Sequence, residues 1–354
     1  MHYFLTASKD TTVYELLPQQ NTGRDEVIEV SKTYVGSLKS ISRALIKFDT
    51  NTLSSSIVSG DVTMSAAEMI LRECESDEVP LDYTIFAHPI SQSWQMGIGF
   101  RFDEISEEGA TWEWPESGSS WLPSGQFSAE STGSVSGSGG VWYTASQSSQ
   151  SFSYESADIA MNVLDPLQAW VSGTLPNNGF ILKHAQSFED NGLDYGSLKF
   201  FSKETNTIYQ PKIRISWDDQ VFTTGSLTEL TEDDIHVTFK RLKTTYKRES
   251  TPLIRVFGRE KYPLKTYSNL YSYTDIKFLP STTYYQIRDV ITDEVIIPFD
   301  DTYSKVSCDS NGNYFKLNLS NWETNRDYYI EIKTVRSGVV EIFSDKDLTF
   351  TVEK

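Results

Sequence analysis

Apolar and polar positions along this 354-residue chain recur at the two-residue period of strands far more often than at the 3.6-residue period of helices. Segments 67–72 (AEMILR) and 212–217 (KIRISW) alternate. Segments 12–16, 27–30, 44–48, 83–87, 180–183 and 198–202 cluster apolar and β-branched side chains between Gly, Asn, Ser or Pro. Each is predicted to be a strand. The pattern predicts one short helix, 163–171 (VLDPLQAWV), with Pro166 in its first turn and Leu167 and Trp170 on one face. Aromatic residues make up 13% of the chain, which favours pleated surfaces further.

Two segments interrupt this pattern. Residues 117–157 are rich in Ser and Gly, most densely at 133–140 (GSVSGSGG), yet carry Trp121, Phe127, Trp142, Tyr143, Phe152 and Tyr154. A flexible linker needs no aromatics. The strand pattern resumes afterwards, so the segment is read as a long arm within one domain. At Trp217-Asp218-Asp219 the composition shifts, and two strand-like runs follow at 236–241 and 253–257. Runs at 284–291, 295–298, 314–319, 327–334, 339–343 and 348–352 then alternate with turns, including an Asn311-Gly312 hairpin signal. Six or seven short strands in about a hundred residues predict an immunoglobulin-like sandwich. The expected organisation is a sandwich over 1–217, connecting strands over 218–258 and a second sandwich over 259–354.

Charge narrows the function. The net charge is −18, with −14 over 1–217 and −4 over 218–354. Between Arg101 and Lys183 there are ten acids and no Lys or Arg. Duplex nucleic acid and anionic membranes are therefore expected to be repelled. No apolar run is long enough for a membrane helix, and Met1–Ser8 lacks the pattern of a secretory leader. Cys74 and Cys308 are far apart and are expected to be free thiols in strands.

The N-terminal segments also resemble a known family. The run SKDTTVYELLPQQNTGRDEVIEVSK (8–32), SRALIKFDTNTL (42–53), SAAEMILRE (65–73), ISQSWQMGIG with TWEW, DPLQAWVSGTLPNNGFILK (165–183) and LKFFSKETNTIYQPKIRISW (198–217) resemble, in order, the DNRLRE-type β-sandwich, which is related to carbohydrate-binding modules. The 117–157 arm and Lys203, where the family usually has Arg, depart from it. The whole chain, including RVFGREKYPLKTY (255–267), also resembles structural proteins of large contractile-tailed phages, marine and cyanobacterial ones above all. These resemblances imply an all-β architecture: a jelly-roll-like sandwich with a long insertion, then an immunoglobulin-like sandwich. They imply a non-enzymatic virion component (neck, tail, fibre attachment or decoration), assembled in the bacterial host cytoplasm. Its partners would be other virion proteins and copies of itself, and no cofactor is expected. The alternative is an adsorption protein that binds host surface glycan.

Few residues propose chemistry. His2, His88, His184 and His236 are scattered, there is no GxSxG elbow, and no Cys/His spacing suits zinc. Glu104, Glu107, Glu108, Glu113 and Glu116 form the densest acidic group and are read as solvated loop acids. Residues 309–313 faintly resemble a calcium loop, but the position of its bidentate Glu holds Ser320, so a turn is expected. Arg43, Lys47 and Asp49 fall on one face of a strand and are expected to form a structural ion pair. Asn21-Thr22-Gly23 and Asn177-Asn178-Gly179 are read as turns that need a positive φ. The candidate contact residues are Trp121, Phe127, Trp142 and Tyr143. Exposed, they would dock on a neighbour or stack on a sugar.

Overall fold

The computed structural model describes residues 1–77, 81–122, 129–131, 138–153, 158–231, 234–264, 267, 274–336 and 338–354. The chain is an all-β sandwich protein of two compact units, Leu5–Ile215 and Met1–Phe4 with Ser216–Lys354.

In the N-terminal unit the elements are β1 (His2–Tyr14), β2 (Val27–Val35), β3 (Leu38–Phe48), α1 (Asn51–Val58), β4 (Ala66–Leu71), β5 (Glu73–Asp77), β6 (Tyr83–Pro89), β7 (Ala129–Ser131), β8 (Val141–Tyr143), β9 (Ser148–Phe152), β10 (Ile159–Asn162), α2 (Leu164–Val171), β11 (Phe180–His184), α3 (Gln186–Asp190), β12 (Gly196–Phe201) and β13 (Lys212–Ser216). Strands run β10-β4-β13-β1-β3-β11-β6-β9. β2 pairs both β3 and β12, and β12 also pairs β5. Strand β4 reads as the alternation predicts, with Ala67, Met69 and Leu71 buried. β3 does not alternate: every residue from Ile41 to Ile46 is buried. Such a run marks a strand covered on both faces. Helix α2 buries Pro166, Leu167 and Trp170. Gly179 has φ +89°, as its turn requires. Gly23 has no positive φ; it is glycine because a Cβ there would lie 2.1 Å from the Met96 carbonyl oxygen.

In the C-terminal unit the elements are β14 (Thr228–Glu229), β15 (Ile235–Lys240), β16 (Thr245–Lys247), β17 (Leu253–Glu260), β18 (Lys277–Phe278), β19 (Thr283–Asp289), β20 (Val295–Ile297), β21 (Ser307–Asp309), β22 (Gly312–Lys316), β23 (Asp327–Arg336) and β24 (Val339–Glu353). One sheet contains β15-β17-β22-β21, and the other runs β16-β24-β23-β19-β20, with β16 parallel to β24. These orders match the two sheets of the immunoglobulin fold. Ile254, Val256 and Phe315 of the first sheet pack with Ile287, Ile330, Ile332 and Phe350 of the second in one buried core. Tyr328, near the start of β23, donates its hydroxyl to the Glu323 carbonyl at 3.3 Å, the tyrosine corner of such sandwiches. The expectation that 218–258 merely connects two domains fails. β15 and β17 are strands of this sandwich, because the inward residues of β17 complete its core. The runs at 339–343 and 348–352 are likewise one strand, β24, which pairs β23 through a bulge. The amino-terminal nitrogen of Met1 donates to Trp217 O (2.6 Å), Asp219 Oδ1 (2.8 Å) and Tyr303 O (2.8 Å) within this unit.

Candidate functional site

The described arm residues Trp121, Val141 and Trp142 lie over the second face of the N-terminal sheet. On β3 the odd positions Ile41, Arg43 and Leu45 face one way; on β11, Ile181 and Lys183 do the same. Over them lie Trp94, Trp112, Trp121, Val141 and Trp142, in one buried cluster with Val13, Ile41, Leu45 and Ile181. Trp121 and Trp142 are each 1% exposed. The Trp121 indole N–H donates to Thr111 O at 3.1 Å. Trp142 is paired through β8, and its backbone bridges Ile90. The expectation that these two rings present a free face therefore fails. The apolar area they would offer a neighbour is already buried by this chain's own sheet. Tyr143 is half-buried, and its carbonyl oxygen lies 3.3 Å from His88 Nδ1. Phe127 lies outside the described residues.

Beneath the arm sits a buried charge cluster. Arg43 Nε and Nη2 donate to Glu189 Oε1 (3.1 Å) and Oε2 (2.7 Å), while Nη1 donates to Gly139 O (2.7 Å). Lys183 Nζ lies 3.2 Å from Glu189 Oε2 and donates to His184 O (2.9 Å) and Gln186 Oε1 (3.0 Å). The Arg43 guanidinium stacks 4.8 Å from the Trp112 ring and 5.3 Å from Trp142; Lys183 lies 5.1 Å from Trp142. The predicted pairing of Arg43 with Lys47 and Asp49 is thus replaced: its anion is Glu189, brought in by α3 from 146 positions away. Gly139 is required here. Its φ is +82°, and a Cβ would lie 2.5 Å from Arg43 Nη1.

Burial alone would raise the Glu189 carboxyl, but Arg43 and Lys183 outweigh it and hold it below the usual range. Burial pushes Lys183 down to about 8, with Glu189 opposing. His88 and His184 are each pushed down to about 4 by burial. Neither ring nitrogen of His184 has a hydrogen-bond partner among the described residues. The cluster is closed to solvent, and its cations contact Gly139, Trp112 and Trp142 above the sheet.

An exposed apolar feature that the sequence reading missed lies elsewhere in this unit. In the loop 96–108 the side chains of Ile98, Phe100, Phe102 and Ile105 are exposed; Phe102 is 90% and Ile105 69% exposed. The base of the loop is fixed. Asn21 Nδ2 donates to Met96 O and Ala110 O (2.8 Å each), and its Oδ1 accepts from Gly23 N (3.1 Å) and Gly99 N (2.9 Å). Gln20 Nε2 donates to Phe100 O at 2.5 Å. Arg101 Nη1 donates to Glu29 Oε2 (2.6 Å) and stacks 4.4 Å from the Tyr14 ring. Glu29 is buried and also accepts from Ser197 Oγ at 2.9 Å. The sequence alternates here at the strand period, with apolar residues at Met96, Ile98, Phe100 and Phe102 and glycine between the first three, yet no strand forms over 96–108, so the apolar positions are held out in a loop.

The remaining sequence candidates form no site. Among the described residues no group of three or more His, Cys, Asp or Glu could hold a metal ion. Glu104, Glu107, Glu108 and Glu116 are exposed, while Glu113 accepts from Gln19 Nε2 at 3.2 Å. Asp309 forms a bidentate pair with Arg255 (2.6 and 2.7 Å) at the β21–β22 hairpin. Cys74 is an exposed free thiol and Cys308 a buried one. No helix among the described residues is long and apolar enough to cross a membrane.

No family model matches the chain, and no curated protein matches it. Among solved structures it is similar to the adhesin domain of Epf from Streptococcus pyogenes, at 8% identity and a TM-score of 0.18, over 99% of this chain and 91% of that one.

Proposed function

We propose that this chain is a non-enzymatic structural component of a tailed bacteriophage virion, in the neck, tail, fibre attachment or decoration. It works by having its outer surface covered by other virion proteins and by copies of itself. The observation that carries this reading is the 96–108 loop. Exposed apolar side chains cost free energy in water, and here they are held out on a base of buried hydrogen bonds. A contact surface ordered before its partner arrives loses little entropy on binding. The resemblance to phage structural proteins supports the same reading.

The carbohydrate-binding alternative drew on Trp121 and Trp142 as stacking platforms, and their burial removes that support. Deleting 117–157 removes Trp121, Val141 and Trp142 from the N-terminal core and should destabilise that unit. The test is mass spectrometry of particles purified from the producing host. The chain should be present in fixed proportion to the other particle proteins, and its absence from clean particles overturns the reading.

A further inference from the structure

The C-terminal unit holds a cleft of about 640 Å³ beside β16. Its lining includes the apolar surfaces of Tyr246, Pro252 and Leu253. The same lining carries Arg241, Lys243 and Lys247, all exposed, and one acid, Glu353. None of the three cations makes an ion pair among the described residues; the salt bridges of this unit engage other bases, such as Arg255, Arg288 and Arg326. Residues 240–248 (KRLKTTYKR) hold five bases and no acid, in a chain whose net charge is −18. A cleft lined by unpaired cations and apolar side chains suits an acidic partner with apolar side chains.

This chain carries such a partner. In the 96–108 loop Phe102 and Ile105 are flanked by the exposed acids Asp103, Glu104, Glu107 and Glu108. The one base in the loop, Arg101, is engaged by Glu29. We propose that the cleft receives the 96–108 loop of a second copy. Phe102 and Ile105 pack on Tyr246, Pro252 and Leu253, and Asp103 and Glu104 meet Arg241, Lys243 and Lys247. This rests on the contact role proposed above and names the partner. The contact joins different surfaces of the two copies, so it closes a two-fold dimer where loop and cleft are exchanged reciprocally and otherwise propagates into a ring or a filament. A contact this small is weak alone, on the order of micromolar or weaker, and gains strength only when repeated.

The experiment is sedimentation velocity of the full chain over a concentration series at low and high salt. The wild type should self-associate, and less at high salt, because exposed charges are screened within about 10 Å at 0.1 M. Lys243→Glu with Lys247→Glu, and separately Asp103→Lys with Glu104→Lys, should each weaken association by roughly tenfold or more. Phe102→Ala should weaken it without changing its salt dependence. All these side chains are exposed, so far-UV circular dichroism and melting should match the wild type.

An equal mixture of the two charge-reversed chains should associate again, because each supplies the surface complementary to the other. Overturning results are a wild type that stays monomeric, charge-reversed chains that associate as the wild type does, or a mixture that fails to recover. Particle mass spectrometry separates the two proposals. Cleft-reversed chains incorporated normally sink the self-contact and leave the virion role standing. Wild-type chain absent from particles sinks the virion role.

Discussion

Replacing Glu189 with Gln is the sharpest internal test of the buried cluster. Glu189 is the anion between two buried cations, accepting two hydrogen bonds from Arg43 and lying 3.2 Å from Lys183. Gln is nearly isosteric but has one acceptor oxygen, and its amide N–H groups would point at a guanidinium or an ammonium. Removing one partner of a buried ion pair leaves uncompensated charge and costs about 3–5 kcal/mol. For a unit of this size that lowers the melting temperature by roughly 10 °C. The assay is urea unfolding of the full chain followed by Trp fluorescence, since Trp112, Trp121 and Trp142 surround the cluster. The loss should persist at high salt, because the pair is shielded from solvent. Apolar replacement of all three groups (Arg43→Met, Lys183→Met, Glu189→Leu) should regain much of it. A loss below about 1 kcal/mol for Glu189→Gln would refute the view that this cluster fastens the arm to the sheet.

Three further outcomes follow from the same geometry. His184 has a folded pKa of about 4, below its unfolded value, so the unfolded chain binds more protons between about 4 and 6.5. Its contribution is full above about 6.5 and lost as pH falls towards 4, by up to about 3 kcal/mol. Asp10, raised by burial to about 7, acts in the opposite direction, so the test compares variants. His184→Phe, which keeps an aromatic ring against Tyr83 and Tyr195, should gain on the wild type as pH falls; a constant difference from pH 7 to 5 contradicts this. Gly139→Ala should destabilise the N-terminal unit by about 2 kcal/mol or more, through its positive φ and the approach of Arg43; an unchanged urea midpoint counts against that packing. Tyr328→Phe should cost about 1 kcal/mol in the C-terminal transition alone, by loss of its bond to Glu323 O. A cost seen equally in both units would place Tyr328 outside the corner.

How far the sequence disclosed this molecule depended on which forces were local. Strands such as β4, and helix α2 with Leu167 and Trp170 on one face, follow from alternation and spacing within a few residues. The shift in composition at Trp217 fell close to the division between the units. β17 was legible as a strand, but its sandwich was not, because periodicity says which face is buried and not against what. The fate of the arm turned on a partner surface, the odd face of β3. Its sign was present in 41–46 (ISRALI), where apolar residues fall on both faces of the strand, Ile41 and Leu45 on one and Ala44 and Ile46 on the other. Glu189, in a five-residue helix 146 positions from Arg43, had no sequence signal tying it to that strand.

The most direct test of surface burial as the working principle is a density map of the assembled particle at side-chain resolution with this chain placed in it. The account predicts repeated copies whose Phe102 and Ile105 are covered by a neighbour, while Trp121 and Trp142 remain against their own sheet. A particle without the chain, or one in which every copy leaves Phe102 and Ile105 facing solvent, contradicts it.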